Sequence, residues 1–183
     1  KSTLLNMICG LIKPDSGNIF VDGKDLASND INWIRNVAYI SQNSVLLNDT
    51  LLNNILFEYN PIKVDEKKLK DSISNARIKE LIDSLKNGQD TIIGDRGSLI
   101  SSGQSQRINI ARVFYSDRDI FIFDEATNSL DRETEHQILR NIQNLNQKIQ
   151  NKKLIIIVSH KIENLKICDY VLEIKNKKVV KKS

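Results

Sequence analysis

The sequence predicts an α/β domain built around a parallel sheet. Two continuous apolar runs carry that prediction, Ile120-Phe121-Ile122-Phe123 and Leu154-Ile155-Ile156-Ile157-Val158, each of the kind found in central strands buried on both faces. Between them Ile138, Ile142, Leu145 and Ile149 recur at four, three and four residues, which sets one apolar stripe on a helix able to cover the sheet. Strand, helix and strand at this length make a βαβ unit.

The other elements follow in chain order. Leu4 to Ile12 reads as a helical segment opened by Lys1-Ser2-Thr3. Ile19 and Val21, ahead of Asp22-Gly23, read as a short alternating strand and its turn, and Val37 to Ser41 as a further strand. Residues 50 to 86 lack strand patterning. Thr50 suits the cap of a helix carrying Leu51, Leu52, Ile55 and Leu56, and Ile78, Leu81, Ile82 and Leu85 form another helical stripe. Ile108, Ala111, Arg112 and Tyr115 give a third, with Ser101 or Ser102 near its start. A mostly helical block over roughly 44–118 thus interrupts a core formed by 1–43 and 119–183. The lysine-rich end (Lys175, Lys177, Lys178, Lys181, Lys182) reads as a solvated terminus.

Composition narrows the class. The 183 residues, 40% hydrophobic and 27% charged, suffice for one domain or one domain with a subdomain. A formal net charge of +4 neither demands nor excludes an anionic partner. Cys9 and Cys168 are too few for a disulfide framework, have no histidine or second cysteine at ligand spacing, and read as buried thiols. Low aromatic content and two prolines argue against a Pro-rich or aromatic-stacking module. The clearest apolar run, Leu154 to Val158, falls far short of the roughly 20 residues of a membrane helix. No signal-like stretch is present, and a first residue of lysine leads us to expect a piece of a longer chain.

The chemistry lies at the strand ends. Asp124 and Glu125 follow one buried run, and Ser159 and His160 the other. Ligands of open parallel sheets bind outside the carboxyl ends of the strands. Adjacent acids repel unless a cation or a shared proton relieves them, and oxygen ligands beside phosphate suit Mg²⁺. Acids are also common where strands merely meet solvent, so this pair alone decides nothing. Lys1-Ser2-Thr3 sets a lysine and a hydroxyl at a helix start, as phosphate and Mg²⁺ require. By itself it carries no weight, because the glycines of GxxxxGK[ST] would all precede Lys1. His136 matches no pattern and reads as a surface or packed residue; His160 stands apart because it ends a predicted central strand beside the acid pair.

Together these stretches resemble the nucleotide-binding domain of an ABC transporter, beginning at the lysine of its phosphate loop. Tyr39-Ile40-Ser41-Gln42 resembles the Q-loop, and Ile100-Ser101-Ser102-Gly103-Gln104, continuing to Gln106-Arg107-Ile108 and Ala111-Arg112, the LSGGQ signature and its helix. Ile120 to Glu125 resembles Walker B, Asn128-Ser129-Leu130-Asp131 the D-loop, and Ser159-His160 the switch histidine, all in the family's order. The resemblance spans essentially the whole chain. It implies a RecA-like P-loop NTPase core with a parallel sheet, an ABC-type helical subdomain at 44–118, and an N-terminal β-subdomain, most of Walker A and an adenine-stacking aromatic missing from the sequence. Such a piece is expected to bind ATP poorly.

The resemblance also implies roles. ATP and Mg²⁺ are the expected cofactors. Lys1, Ser2 and Thr3 would bind nucleotide, and Ser2, Gln42 and Asp124 would hold the metal. Glu125 would accept the proton of the attacking water, Gln42 would sense the γ-phosphate, and His160 would hold phosphate, water and Glu125 in line. Ser101, Ser102, Gly103, Gln104 and Asp131 would serve ATP across a head-to-tail dimer with a second nucleotide-binding domain. Ser102 departs from the family, which has glycine there; its side chain either crowds the approach to phosphate or adds a contact. Asp90-Thr91-Ile92-Ile93-Gly94-Asp95-Arg96-Gly97 and Asp49-Thr50-Leu51-Leu52-Asn53-Asn54-Ile55 resemble exporter-type segments, the former touching the transmembrane domain. A transmembrane domain on the same full-length chain, a place at the cytoplasmic face of a membrane (in bacteria the inner one) and no nucleic-acid partner are expected. The cargo, whether lipid, lipid-linked glycan, peptide or drug, is not legible. Rival readings are a non-transport ABC ATPase of DNA repair or translation, and a degenerate regulatory cassette.

Overall fold

The computed structural model describes residues 1–26, 33–43, 45–57, 63–94, 99–116, 118–148 and 153–182. Its centre is a parallel sheet of β3 (Val37–Ile40), β4 (Ile120–Asp124) and β5 (Leu154–Val158), in that order. Ahead of it lie α1 (Ser2–Ile8) and a hairpin of β1 (Phe20–Val21) and β2 (Lys24–Asp25). That hairpin closes on Asp22-Gly23, both with positive φ, the mirror-image turn whose twist matches paired strands. Between β3 and β4 come α2 (Leu51–Leu56), α3 (Glu66–Asn75), α4 (Lys79–Ser84) and α5 (Ser102–Tyr115), and α6 (Arg132–Lys148) joins β4 to β5.

The apolar run of β4 is continuous because both its faces are covered. Ile120 and Ile122 pack with Leu5, Cys9 and Trp33 on the α1 side. Phe121 and Phe123 pack on the opposite side in the larger cluster with Leu51, Ile108, Ile138 and Ile142. Side chains alternate along a strand, so Asp124 falls on the same face as Ile120 and Ile122, toward α1. The expected stripe of α6 is present, with Ile138 and Ile142 fully buried; Ile149 lies outside the described residues.

Three expectations change. Leu154–Val158 is only partly buried among the described residues, and Leu154 is 54% exposed. A fully buried β4 and a partly buried β5 have the same apolar composition, because sequence reports hydrophobicity and not burial. Lys175, Lys177, Lys178 and Lys181 are exposed, yet the lysine-rich end is no loose tail. It forms the antiparallel hairpin β6 (Val171–Lys175) and β7 (Lys178–Lys182), turned on Asn176-Lys177 with both φ positive. Cys9 is buried as expected, but Cys168 is only half-buried.

Candidate functional site

The site forms where β4 and β5 end. Glu125, the residue after β4, has φ 53, a left-handed conformation that a non-glycine residue adopts at a cost of about 1–3 kcal/mol. The turn is held on both sides of its peptide. The Glu125 N–H donates to the Val158 carbonyl (3.0 Å), and the Glu125 carbonyl accepts from Asn128 N–H (3.2 Å) and Gln106 Nε2 (3.4 Å). Strand pairing thus delivers Glu125 beside the end of β5, where His160 follows.

His160 Nε2 lies 2.8 Å from Glu125 Oε1, and Asn128 Nδ2 donates to Oε2 at 2.7 Å. Lys1 Nζ approaches the same imidazole, 3.4 Å from Nε2 and 3.5 Å from Nδ1. Residues 1, 125 and 160, far apart in sequence, therefore meet. Asp124 sits beside them, 7% exposed, with Oδ2 accepting the Tyr39 hydroxyl at 2.9 Å. Burial, then this bond to the carboxylate, push the Tyr39 pKa up to about 12.

A second group of side chains holds the loop that bears His160. Glu135 is buried on α6, and its carboxylate accepts from Lys161 Nζ (2.6 Å), Thr127 Oγ1 (2.7 Å) and Asn164 Nδ2 (2.8 Å). Burial alone raises its pKa, but those three donors outweigh it and hold the group below the ordinary glutamate value.

The start of α5 faces the turn after β4. Ser101 is its N-cap: Ser101 Oγ accepts the Gln104 N–H, and Gln104 Oε1 accepts the Ser101 N–H, a reciprocal capping box. Gly103 is required by proximity and not by φ, since a Cβ there would stand 2.9 Å from the Ser129 carbonyl oxygen. Buried Gln106 locks the same approach by accepting the Ser129 N–H and hydroxyl while donating to Glu125.

A family model described as ABC transporter matches residues 1–128. The chain belongs to the ABC transporter family. It is 36% identical over 98% of its length to the alpha-hemolysin translocation ATP-binding protein HlyB of Escherichia coli, and covers 25% of that protein. It is 35% identical over 98% of its length to the ATP-dependent lipid A-core flippase of Desulfotalea psychrophila, and covers 31% of it. Among solved structures, a bacterial Atm1-family ABC exporter with ATP bound superposes with a TM-score of 0.83 at 29% identity, over 94% of this chain and 30% of that one. The chain thus spans about a quarter to a third of the length of the relatives it matches. The α/β, P-loop NTPase class expected from the sequence is the class this ABC domain has.

The structure joins some of the motif residues of this ABC domain and leaves others apart. Lys1, Glu125 and His160 touch, and Asp124 adjoins them. Ser2 and Thr3 are exposed in the first turn of α1. Gln42 is exposed, two residues past β3, whose Ile40 pairs with Phe123 of β4. Among the described residues no hydrogen bond joins Ser101, Ser102 or Gly103 to the Lys1–His160–Glu125 group; Ser102 is exposed. Asp131 is exposed and accepts the Thr134 N–H at 3.0 Å, which lowers its pKa. The two exporter-like segments come together: Leu51 N–H bonds the Thr91 carbonyl and Ile93 N–H the Asp49 carbonyl. Asp95, Arg96 and Gly97 lie outside the described residues. Sequence reading assigned no role to Tyr39, Gln106, Glu135 and Lys161. The signals were slight: a lone tyrosine in a strand, two polar residues on helices that otherwise show apolar stripes, and one lysine in a loop.

Proposed function

We propose that this chain is the ATP-binding and ATP-hydrolysing domain of an exporter, with residues 44–118 as the helical subdomain and 1–43 with 119–183 as the RecA-like core. The single observation that carries the proposal is the convergence of Lys1, His160 and Glu125 beside buried Asp124, in a chain whose relatives are translocation ATP-binding proteins and flippases. Transport of a substrate, pairing with a second copy of the domain and attachment to a transmembrane domain at the cytoplasmic face of a membrane belong to the same proposal.

Lys1 neutralises the β- and γ-phosphates as a point charge at the start of α1. His160, now on Lys1 and Glu125, exchanges those contacts for the γ-phosphate when ATP enters. That exchange frees Glu125 Oε1 to accept the proton of the attacking water, while Asn128 keeps Oε2 fixed. The capping box leaves the Ser101 hydroxyl hydrogen free to donate to a phosphate supplied against the α5 N-terminus by a partner domain.

The donor set suits Mg²⁺. Asp124 is a nearly buried carboxylate whose Oδ1 accepts no bond among the described residues, and Ser2 and Gln42 supply hard neutral oxygens. Ser2, Gln42 and Asp124 would hold the ion, which when bound neutralises phosphate charge.

In the full-length protein, Glu125→Gln is expected to lower ATP turnover by about 10²–10⁴-fold while nucleotide stays bound. Hydrolysis at the wild-type rate in that variant refutes the assignment.

A further inference from the structure

Tyr39 stands in the Q-loop-like stretch without a role of its own, yet it alone among the described residues hydrogen-bonds the Asp124 side chain. Its place follows from register. Tyr39 pairs with Ile122 of β4, and the next residue of β4 on that face is Asp124. An aromatic side chain reaches that diagonal neighbour, whereas an aliphatic one at the same position has no donor to offer. The contact lies in the packed layer under α1, where Tyr39 lines the cluster of Leu5, Cys9, Trp33 and Ile122. A carboxylate only 7% exposed has little water to orient it.

We infer that Tyr39 is a positioning residue for the divalent-metal site, fixing the Asp124 carboxylate by Oδ2 so that Oδ1 is kept for the ion. The inference rests on the reading of Asp124 as a metal-holding residue. It also explains how β3 and β4 act as one support. Gln42 leaves β3 three residues after Tyr39, and Asp124 closes β4, so the phenol ties together the two strands that carry the proposed ligands. Carboxylates that bind metals depend on such hydrogen-bonded neighbours for orientation, and losing one typically weakens metal binding about 10–100-fold.

The test is Mn²⁺ titration, read by electron paramagnetic resonance of the free ion, on the full-length protein with ATP and in a Glu125→Gln background that holds nucleotide. Tyr39→Phe keeps the ring and removes one hydroxyl. It is expected to raise the Mn²⁺ dissociation constant about 10–100-fold, with ATP binding in EDTA and the metal-free unfolding midpoint close to those of the background. Unchanged Mn²⁺ affinity in Tyr39→Phe, beside a large loss in Asp124→Asn, overturns the role of Tyr39 alone. Unchanged affinity in Asp124→Asn overturns the metal reading and the inference with it. A fall in the metal-free unfolding midpoint without a fall in Mn²⁺ affinity shows a purely structural bond and equally overturns it.

Discussion

Replacing Lys161 by methionine removes the one cation on buried Glu135 and keeps the length of the side chain. Glu135 retains Thr127 Oγ1 and Asn164 Nδ2 at 2.7 and 2.8 Å but loses the ammonium at 2.6 Å. Breaking a fully buried pair costs about 3–5 kcal/mol, and losing one charge-assisted hydrogen bond about 1.5–3. The Lys161 side chain is 46% exposed and its ammonium is partly hydrated, whereas that of Glu135 is only 3% exposed. The lower range therefore governs, and Lys161→Met is expected to destabilise the domain by about 2–3 kcal/mol near neutral pH. The pH dependence carries the sign. Glu135 has a depressed pKa in the folded state, so its contribution is present above the unfolded value and is lost as pH falls through the folded one. The gap between variant and wild type should consequently shrink in acid, once the carboxylate is protonated in both. Urea unfolding at about pH 7 and about pH 4 measures this. A difference below about 0.5 kcal/mol at neutral pH, or one that widens in acid, refutes the reasoning.

Two further substitutions test the packing around the site. Gly103→Ala places a methyl 2.9 Å from the Ser129 carbonyl oxygen, so α5 and the turn after β4 must separate; a loss of about 1–3 kcal/mol in urea unfolding and, if the proposed function holds, reduced ATP turnover are expected. Arg112 donates from Nε to the Asn54 carbonyl and from Nη1 to Asn109, and lies 4.0 Å from the Phe57 ring centroid. Burial lowers its pKa to about 10, so it is charged at neutral pH, and Lys cannot reproduce the planar fork. Arg112→Lys should cost about 1–3 kcal/mol of stability by thermal unfolding, and an unchanged midpoint counts against a structural role for the fork.

Much of the fold was legible because hydrophobic period and capping chemistry are local. Thr50 announces α2 and bonds the Asn53 N–H as its cap. The stripe of Ile138 and Ile142 announces α6, and Asp22-Gly23 the first hairpin. Helix α3 was missed: its start rests on the Asp65 side chain accepting the Lys68 N–H, and its apolar face is little more than Leu69 and Ile73 amid lysines. The Asn176-Lys177 turn was missed because a run of lysines reads as solvated whether or not it is paired.

The sequence by itself marked the residues proposed to carry the chemistry, since Lys1, Asp124, Glu125 and His160 stand out by their neighbours along the chain. Only the tertiary structure decided how they are held. The left-handed turn at Glu125, the Tyr39 hydroxyl on Asp124 and the clamp of Glu135 on Lys161 join residues between 26 and 85 positions apart, or depend on a carbonyl offered by another strand. A hydrogen bond depends on position within a few tenths of an ångström, and the packing of β3, β4, β5 and α6 sets that position.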